Sequence, residues 1–128
     1  MGAVYASIAT NGHPYAIKLL LDESYAKNRE LDARFVLAGR LSAQLDAENV
    51  TKVFELGVDE PTSTPFVVME QLDGFDADAL VAKVGPVTPQ TAVRIICQAA
   101  RGLAVAHAAG IVHCHIMPAN LLDASTQP

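Results

Sequence analysis

Short apolar runs separated by polar turns dominate the first 70 residues of the chain. Gly2 to Ala9 and Tyr15 to Leu21 are two such runs, and Thr10-Asn11-Gly12-His13 lies between them. Asn-Gly tolerates the positive φ angles that tight hairpin turns need. The pattern therefore predicts two antiparallel strands joined by a hairpin turn.

A helical pattern follows this hairpin. Apolar residues recur at about the 3.6-residue period from Glu30 to Leu45, which predicts a helix over that range. Val50 to Val58 and Pro65 to Glu70 are then predicted as strands, with Asp59 to Ser63 as the turn between them. The predicted order is strand, strand, helix, strand, strand.

The chain becomes helical after Gln71-Leu72-Asp73-Gly74. A short helix is predicted from Asp76 to Val84. Thr88 is a good N-cap for a longer helix from Pro89 to about Ala109, and Gly110 supplies the stop. The sequence thus predicts an α+β fold, in which a small antiparallel sheet with one helix precedes an α-helical part.

The composition is that of a globular protein. A chain of 128 residues, 51% hydrophobic and 18% charged, has room for one domain. Its net charge of -5 argues against general binding to nucleic acid. The most apolar stretch, Ala92 to Ile111, contains too many polar residues for a membrane span. Without a signal-peptide pattern at its N-terminus, the chain is expected to be cytoplasmic, with no membrane partner.

Cysteine and histidine residues cluster loosely near the C-terminal end. Cys97, His107, His113, Cys114 and His115 could suggest zinc, but they match no standard zinc-ligand spacing. Two cysteines also make no disulfide framework. The preferred interpretation is that these residues hold no metal.

Four motifs occur in a fixed order along the chain. They are Tyr15-Ala16-Ile17-Lys18, Phe66 to Gly74, Gln98 to Leu103, and His113 to Asn120. The first resembles the V-A-I-K strand of protein kinases, and the second their last N-lobe strand and hinge. The third and fourth resemble the helix that leads into the catalytic loop and the loop itself. In this order the chain resembles the bacterial serine/threonine protein kinases over essentially its whole length.

This resemblance implies an incomplete kinase-like fold. Residues 1–70 would form an N-lobe without its first strand, 71–74 the hinge, and 75–128 the first helices of the C-lobe up to the catalytic loop. Met1 would then fall inside the Gly-rich loop, and residues 124–128 leave the family pattern. We therefore expect that the two ends of the chain are not natural domain boundaries.

The resemblance also implies a set of positions that contact ATP in the family. Lys18 is the position that holds the α- and β-phosphates, although it could equally be a solvated strand lysine. Its usual glutamate partner is replaced by Ala38. The adenine-side positions could equally be ordinary core residues. The implied cofactor-binding residues are Gly2, Val4, Ala16, Lys18, Met69, Glu70, Leu72 and Leu122.

The catalytic loop departs from the family pattern H-R-D-x-K-P-x-N at its working positions. Cys114 stands at the arginine position, His115 at the catalytic aspartate and Met117 at the lysine that faces phosphate. No intact catalytic residue is therefore predicted. Asn120 keeps the family's magnesium position, but the sequence contains no D-F-G motif, so magnesium binding is not expected.

The leading hypothesis is a truncated, catalytically inactive kinase-like domain, with at most weak ATP binding or a partner-binding role. The partner would be another protein that covers the apolar face of the helix from Thr88 to Ala109. One alternative is an active serine/threonine kinase part that is completed by another chain. Another is an interaction module unrelated to nucleotide, or a decayed gene product.

Overall fold

The computed structural model describes residues 2–21 and 39–123. The chain divides into two compact units, the first comprising Met1–Ala47 and Thr51–Gln71, and the second Glu48–Val50 and Leu72–Pro128. Among the described residues, the first unit contains a four-stranded antiparallel sheet, and the second contains two α-helices. The predicted α+β class is confirmed.

The sheet of the first unit has the order β1-β2-β4-β3. Its strands are β1 (Gly2–Ile8), β2 (Pro14–Leu20), β3 (Val53–Asp59) and β4 (Thr64–Glu70). All four predicted strands are present, and no end differs from its prediction by more than three residues.

The predicted hairpin turn joins β1 to β2. Gly12 has a φ of 81°, a value open to glycine without a steric penalty. The amide of Gly12 donates to the carbonyl of Ala9 at 2.8 Å, and the amide of Ala9 donates to the carbonyl of His13 at 2.9 Å. The predicted turn is confirmed, and its positive φ is at Gly12 and not at Asn11.

Most of the helix predicted from Glu30 to Leu45, including Ala38, lies outside the described residues. The described part is helical at residues 39–42. The amides of Gln44 and Leu45 then donate to carbonyls three residues earlier, at 3.1 and 3.0 Å. This tightening ends the helix before Leu45, as is common in a last turn.

Two capped helices lie in the second unit. The short helix (Ala77–Val84) begins at Asp76, whose Oδ1 accepts from the amide of Ala79 at 2.7 Å. The long helix (Pro89–Ala108) begins at Thr88, whose Oγ1 accepts from the amide of Thr91 at 3.3 Å. Both N-caps satisfy amides that the helix itself leaves without a partner.

The long helix ends as its sequence predicts. Gly110 has a φ of 78°, and the amide of Ile111 donates to the carbonyl of Ala106 at 2.9 Å. This is the Schellman arrangement, in which a glycine in the left-handed region closes the helix. No helix in the described ranges is long and apolar enough to cross a membrane.

Packing within the second unit centres on one face of the long helix. Ile95, Gly102 and Ala106 are buried there. A Cβ atom built at Gly102 would collide with the backbone carbonyl oxygen of Asn49. Glycine at this position therefore allows the segment 48–50 to lie directly against the helix.

Two short elements complete the second unit. β5 (Phe75–Asp76) pairs antiparallel with β6 (Leu122–Asp123), and the amide of Ala77 donates to the carbonyl of Leu121 at 2.8 Å. A 3₁₀ turn covers Pro118–Asn120. The sequence pattern missed β5, because two residues carry no periodicity.

Candidate functional site

Four of the predicted nucleotide-binding residues lie on one face of the sheet. Val4 is opposite Lys18 in the pairing of β1 with β2, and Ala16 is opposite Met69 in the pairing of β2 with β4. Residues opposite each other in antiparallel strands share a face, as do residues two apart in one strand. Ala16 and Lys18 therefore place all four side chains on the same face. We call Val4, Ala16, Lys18 and Met69 the sheet face.

Lys18 lies in the middle of β2 and is half-buried. Within residues 2–21 and 39–123, no carboxylate forms an ion pair with its ammonium group. Ala38, which the sequence places at the position of the usual glutamate partner, lies outside the described residues. Lys18 thus offers one positive charge on the sheet face, and binding of phosphate there stays a prediction.

The ends of two strands hold the remaining predicted positions of the first unit. Gly2 begins β1 opposite Leu20. Glu70 ends β4, where its amide donates to the carbonyl of Lys52 at 2.9 Å and its Oε1 accepts from the amide of Lys52 at 2.7 Å. The sequence analysis named Glu70 only as an implied nucleotide-binding position and missed this side-chain contact, which ties the residue before β3 to the end of β4.

The positions predicted in the second unit lie at its short elements. Leu72 is half-buried just after the first unit ends, and Leu122 is exposed in β6, opposite Asp76. No geometric test of adenine contact follows from either position, so their role in binding nucleotide stays a prediction.

The segment that resembles a catalytic loop has a well-connected backbone. The Nδ2 of Asn120 donates to the carbonyl of His115 at 2.9 Å, and the amide of His115 donates to the Nδ1 of His113 at 3.2 Å. The amides of Asn120 and Leu121 close the 3₁₀ turn on Met117 and Pro118, at 2.9 and 3.1 Å. Side chains and backbone together thus define the course of residues 113–121.

This loop carries His115 and Met117 at the positions that match the family's catalytic aspartate and lysine. His115 and Met117 are exposed, and neither is acidic. Cys114 has a φ of 60°, which is rare for a residue with a side chain. The Nδ2 of Asn120 donates to the backbone carbonyl of His115. The Oδ1 of Asn120 is therefore the side-chain atom that a metal ion would use.

The histidines and cysteines form no ligand cluster in the described part of the chain. Groups of three or more His, Cys, Asp or Glu side chains suited to a metal ion are not found there. Cys97 and Cys114 are free thiols, and both are exposed.

Known proteins match this chain over nearly its whole length. The protein kinase domain family matches residues 1–127. Serine/threonine-protein kinase PknL of Mycobacterium tuberculosis is 35% identical over 109 residues, which are 85% of this chain and 27% of PknL. Serine/threonine-protein kinase PknD of the same organism is 32% identical over 122 residues, which are 95% of this chain and 18% of PknD.

Solved structures give the same result. The kinase domain of M. tuberculosis PknI superposes with a TM-score of 0.85 at 26% identity, covering 95% of this chain and 49% of that domain. The chain therefore spans about half of a solved kinase domain and a smaller share of the curated relatives. The family match, the relatives and the shared fold agree, and the chain belongs to the protein kinase domain family.

Proposed function

We propose that this chain is a catalytically inactive member of the kinase family that binds ATP weakly and without a requirement for magnesium. The single observation that carries the proposal is the content of the loop at 113–120. Its backbone is held by hydrogen bonds, while His115 and Met117 occupy the positions of the aspartate and the lysine. The loop thus has a defined course, while the residues at these two positions differ from those that the reaction uses in the family.

Phosphoryl transfer depends on positioning and on stabilising charge, because the transferred group spreads negative charge over its oxygens. A carboxylate at the position of His115 would accept the proton of the substrate hydroxyl. The imidazole ring of His115 is larger than a carboxylate, so its basic nitrogen would lie at a different position from the carboxylate oxygens. Met117 has no charge to place near phosphate. Each such loss typically costs several powers of ten in rate, and both fall on the same step.

Weak nucleotide binding is supported by the sheet face. Val4, Ala16 and Met69 offer apolar surface suited to a purine ring, and Lys18 adds a positive charge beside them. Ala38 stands at the position of the glutamate that orients this lysine in the family, and it provides no carboxylate to pair with Lys18. We therefore expect modest affinity from apolar contact, with little contribution from the phosphates.

Titration with a fluorescent ATP analogue, with and without magnesium, tests this proposal. Binding in the micromolar range or weaker, unchanged by magnesium, is expected. Ala16→Leu adds bulk to the sheet face and should abolish the signal. Ile17→Leu changes the next residue, on the opposite face of β2, and should leave it intact. Submicromolar affinity that depends on magnesium contradicts the proposal, as does equal loss in both variants.

A second candidate function is assembly with a polypeptide that supplies the rest of a kinase domain. Exposed apolar side chains on the long helix favour it, because Val93 and Ile96 are 61% and 59% exposed. Co-expression with the part of PknI that this chain does not span should raise its soluble yield. Val93→Lys with Ile96→Lys should remove that gain, and no gain in the unsubstituted chain would eliminate this candidate.

A further inference from the structure

The turn between β1 and β2 places an asparagine directly before a glycine. Asn11 and Gly12 are both exposed, and a Cβ atom built at Gly12 would meet nothing within 4 Å. An asparagine side chain is open to attack by the backbone nitrogen of the residue that follows it. Glycine leaves that nitrogen unhindered, because it has no Cβ. Asn11 therefore has an accessible nucleophile beside its side-chain amide.

The side chain of Asn11 is held in a geometry that favours this attack. Its Oδ1 accepts a hydrogen bond from the backbone amide of His13 at 3.0 Å. This contact is an Asx turn, in which the side chain follows the course of a backbone turn and brings its Cγ back toward the next amide nitrogen. Attack on Cγ places negative charge on Oδ1, and a donor already positioned at that oxygen stabilises the charge. The amide of His13 thus both orients the reacting group and supports the charge that develops.

One hydrogen bond of the turn opposes the reaction. The amide of Gly12 donates to the carbonyl of Ala9 at 2.8 Å, and the attack requires this amide to lose its proton. The bond lies beyond Ile8 and Pro14, the last residues paired in the β1–β2 ladder. Opening a single hydrogen bond of this kind slows a step that requires it by roughly fivefold. The bond therefore slows the reaction without preventing it.

We propose that Asn11 is a self-modification site, at which the folded chain loses the side-chain amide as ammonia. The backbone nitrogen of Gly12 gives its proton to hydroxide and forms a bond to the Cγ of Asn11. The bond from Cγ to Nδ2 then breaks, and Nδ2 takes up a proton from water and leaves as ammonia, which regenerates the hydroxide. The resulting cyclic imide adds water at one of its two carbonyl carbons. Opening of the ring gives aspartate or isoaspartate.

The two products differ in what they do to the hairpin. Aspartate at position 11 keeps a side-chain oxygen that accepts from the amide of His13. Isoaspartate instead routes the backbone through Cγ, which adds a carbon atom to the main chain between Thr10 and Gly12. The hydrogen bonds that join Ala9 to Gly12 and His13 cannot then keep their present geometry. Because this hairpin carries part of the sheet face, isoaspartate at position 11 reduces the stability of that face.

Mass spectrometry of the aged chain tests the reaction. Lys18 is the first lysine or arginine of the chain, so trypsin releases residues 1–18, in which Asn11 is the only asparagine or glutamine. After incubation at mildly alkaline pH this peptide should gain the mass difference between an amide and an acid, at a rate that rises with hydroxide concentration. Gly12→Asp introduces a residue type that tolerates positive φ but has a Cβ, so it should slow the reaction roughly tenfold or more. Asn120, which precedes Leu121, is the internal control and should stay unmodified over the same period.

A synthetic peptide of residues 7–17 shows whether the folded turn promotes the reaction, because an isolated hairpin is at best marginally stable in water. Asn11 should react in the folded chain at least as fast as in this peptide. The deamidated chain, isolated by ion exchange, should melt at a lower temperature than the Asn11→Asp variant, which contains no isoaspartate. A folded chain that reacts much more slowly than the peptide overturns the proposal, as does an unchanged rate in Gly12→Asp. Equal melting temperatures of the deamidated chain and Asn11→Asp overturn the stated effect on the hairpin.

Discussion

The β2 strand and the loop at 113–120 both belong to the motifs that place this chain in the kinase family, yet they retain different things. β2 keeps its backbone pairing and also its chemical group, Lys18. The loop has a hydrogen-bonded course through His115 and Asn120, but it carries His115 and Met117 at the positions of the family's aspartate and lysine. The comparison teaches that the course of this loop is defined by hydrogen bonds of its backbone, of the His113 ring and of the Asn120 side chain. Its chemistry depends on exposed side chains such as those of His115 and Met117, which take no part in these hydrogen bonds.

The largest expected effect is on the free energy of unfolding, and it tests how the long helix that leads into the loop packs against Asn49. Gly102→Ala should raise helix propensity, which by itself stabilises by about 1 kcal/mol. Its Cβ would instead meet the carbonyl oxygen of Asn49, so we expect a net loss of about 2 kcal/mol in the free energy of unfolding. Chemical denaturation followed by circular dichroism measures this difference.

Ala100→Gly provides the matched control for Gly102→Ala. Ala100 is exposed on the same helix, and its change should cost about 1 kcal/mol through propensity alone. If Gly102→Ala stabilises the chain, the close packing of residues 48–50 against the long helix is wrong.

An intermediate effect compares the loop directly with the sheet. Asn120→Ala removes the donor to the His115 carbonyl, and Asn11→Ala removes the acceptor for the amide of His13 at 3.0 Å in the hairpin turn. Each loses one side-chain contact to backbone, so each should cost about 1 kcal/mol of unfolding free energy. Thermal melts of both variants provide the measurement. If Asn120→Ala left the melting temperature unchanged while Asn11→Ala lowered it, the hydrogen bond of Asn120 would not stabilise the loop as that of Asn11 stabilises the hairpin.

The smallest effect concerns Cys114. Its positive φ costs a residue with a Cβ about 1–2 kcal/mol, of which glycine recovers part after its own entropic cost. Cys114→Gly should therefore stabilise by about 0.5 kcal/mol. Cys97→Gly, in the long helix, should destabilise by about 0.3 kcal/mol, the difference between the helix propensities of cysteine and glycine. Denaturant titrations measure the change in unfolding free energy for both variants. Changes of opposite sign support a strained backbone at Cys114, and destabilisation by both variants contradicts it.

Much of the fold followed from local sequence signals. Asn11-Gly12 predicted the hairpin, and Thr88 with Gly110 predicted both ends of the long helix, because turns and caps depend on residues close in sequence. Contacts between distant residues did not follow. One such contact is the hydrogen bond from the backbone amide of Lys52 to the Glu70 carboxylate, and another is the packing of Gly102 on Asn49. Both depend on the tertiary fold, which sequence periodicity does not encode.

The candidate site divides in the same way. Alternation in β2 and the register of its neighbours bring Val4, Ala16, Lys18 and Met69 to one face, as their motif positions imply. The replacement of acidic and basic groups by His115 and Met117 was readable directly from the motif. The positive φ of Cys114 was not, since cysteine has no preference for the left-handed region.

Phosphotransfer by the chain itself tests the central claim most directly. The 128-residue polypeptide and its Lys18→Ala variant would be incubated with γ-labelled ATP, magnesium and a generic basic protein, beside an active serine/threonine kinase as positive control. We predict that both show only background label, because His115 and Met117 leave the loop without its base and its phosphate-side cation. Incorporation above background that disappears in Lys18→Ala would contradict the account.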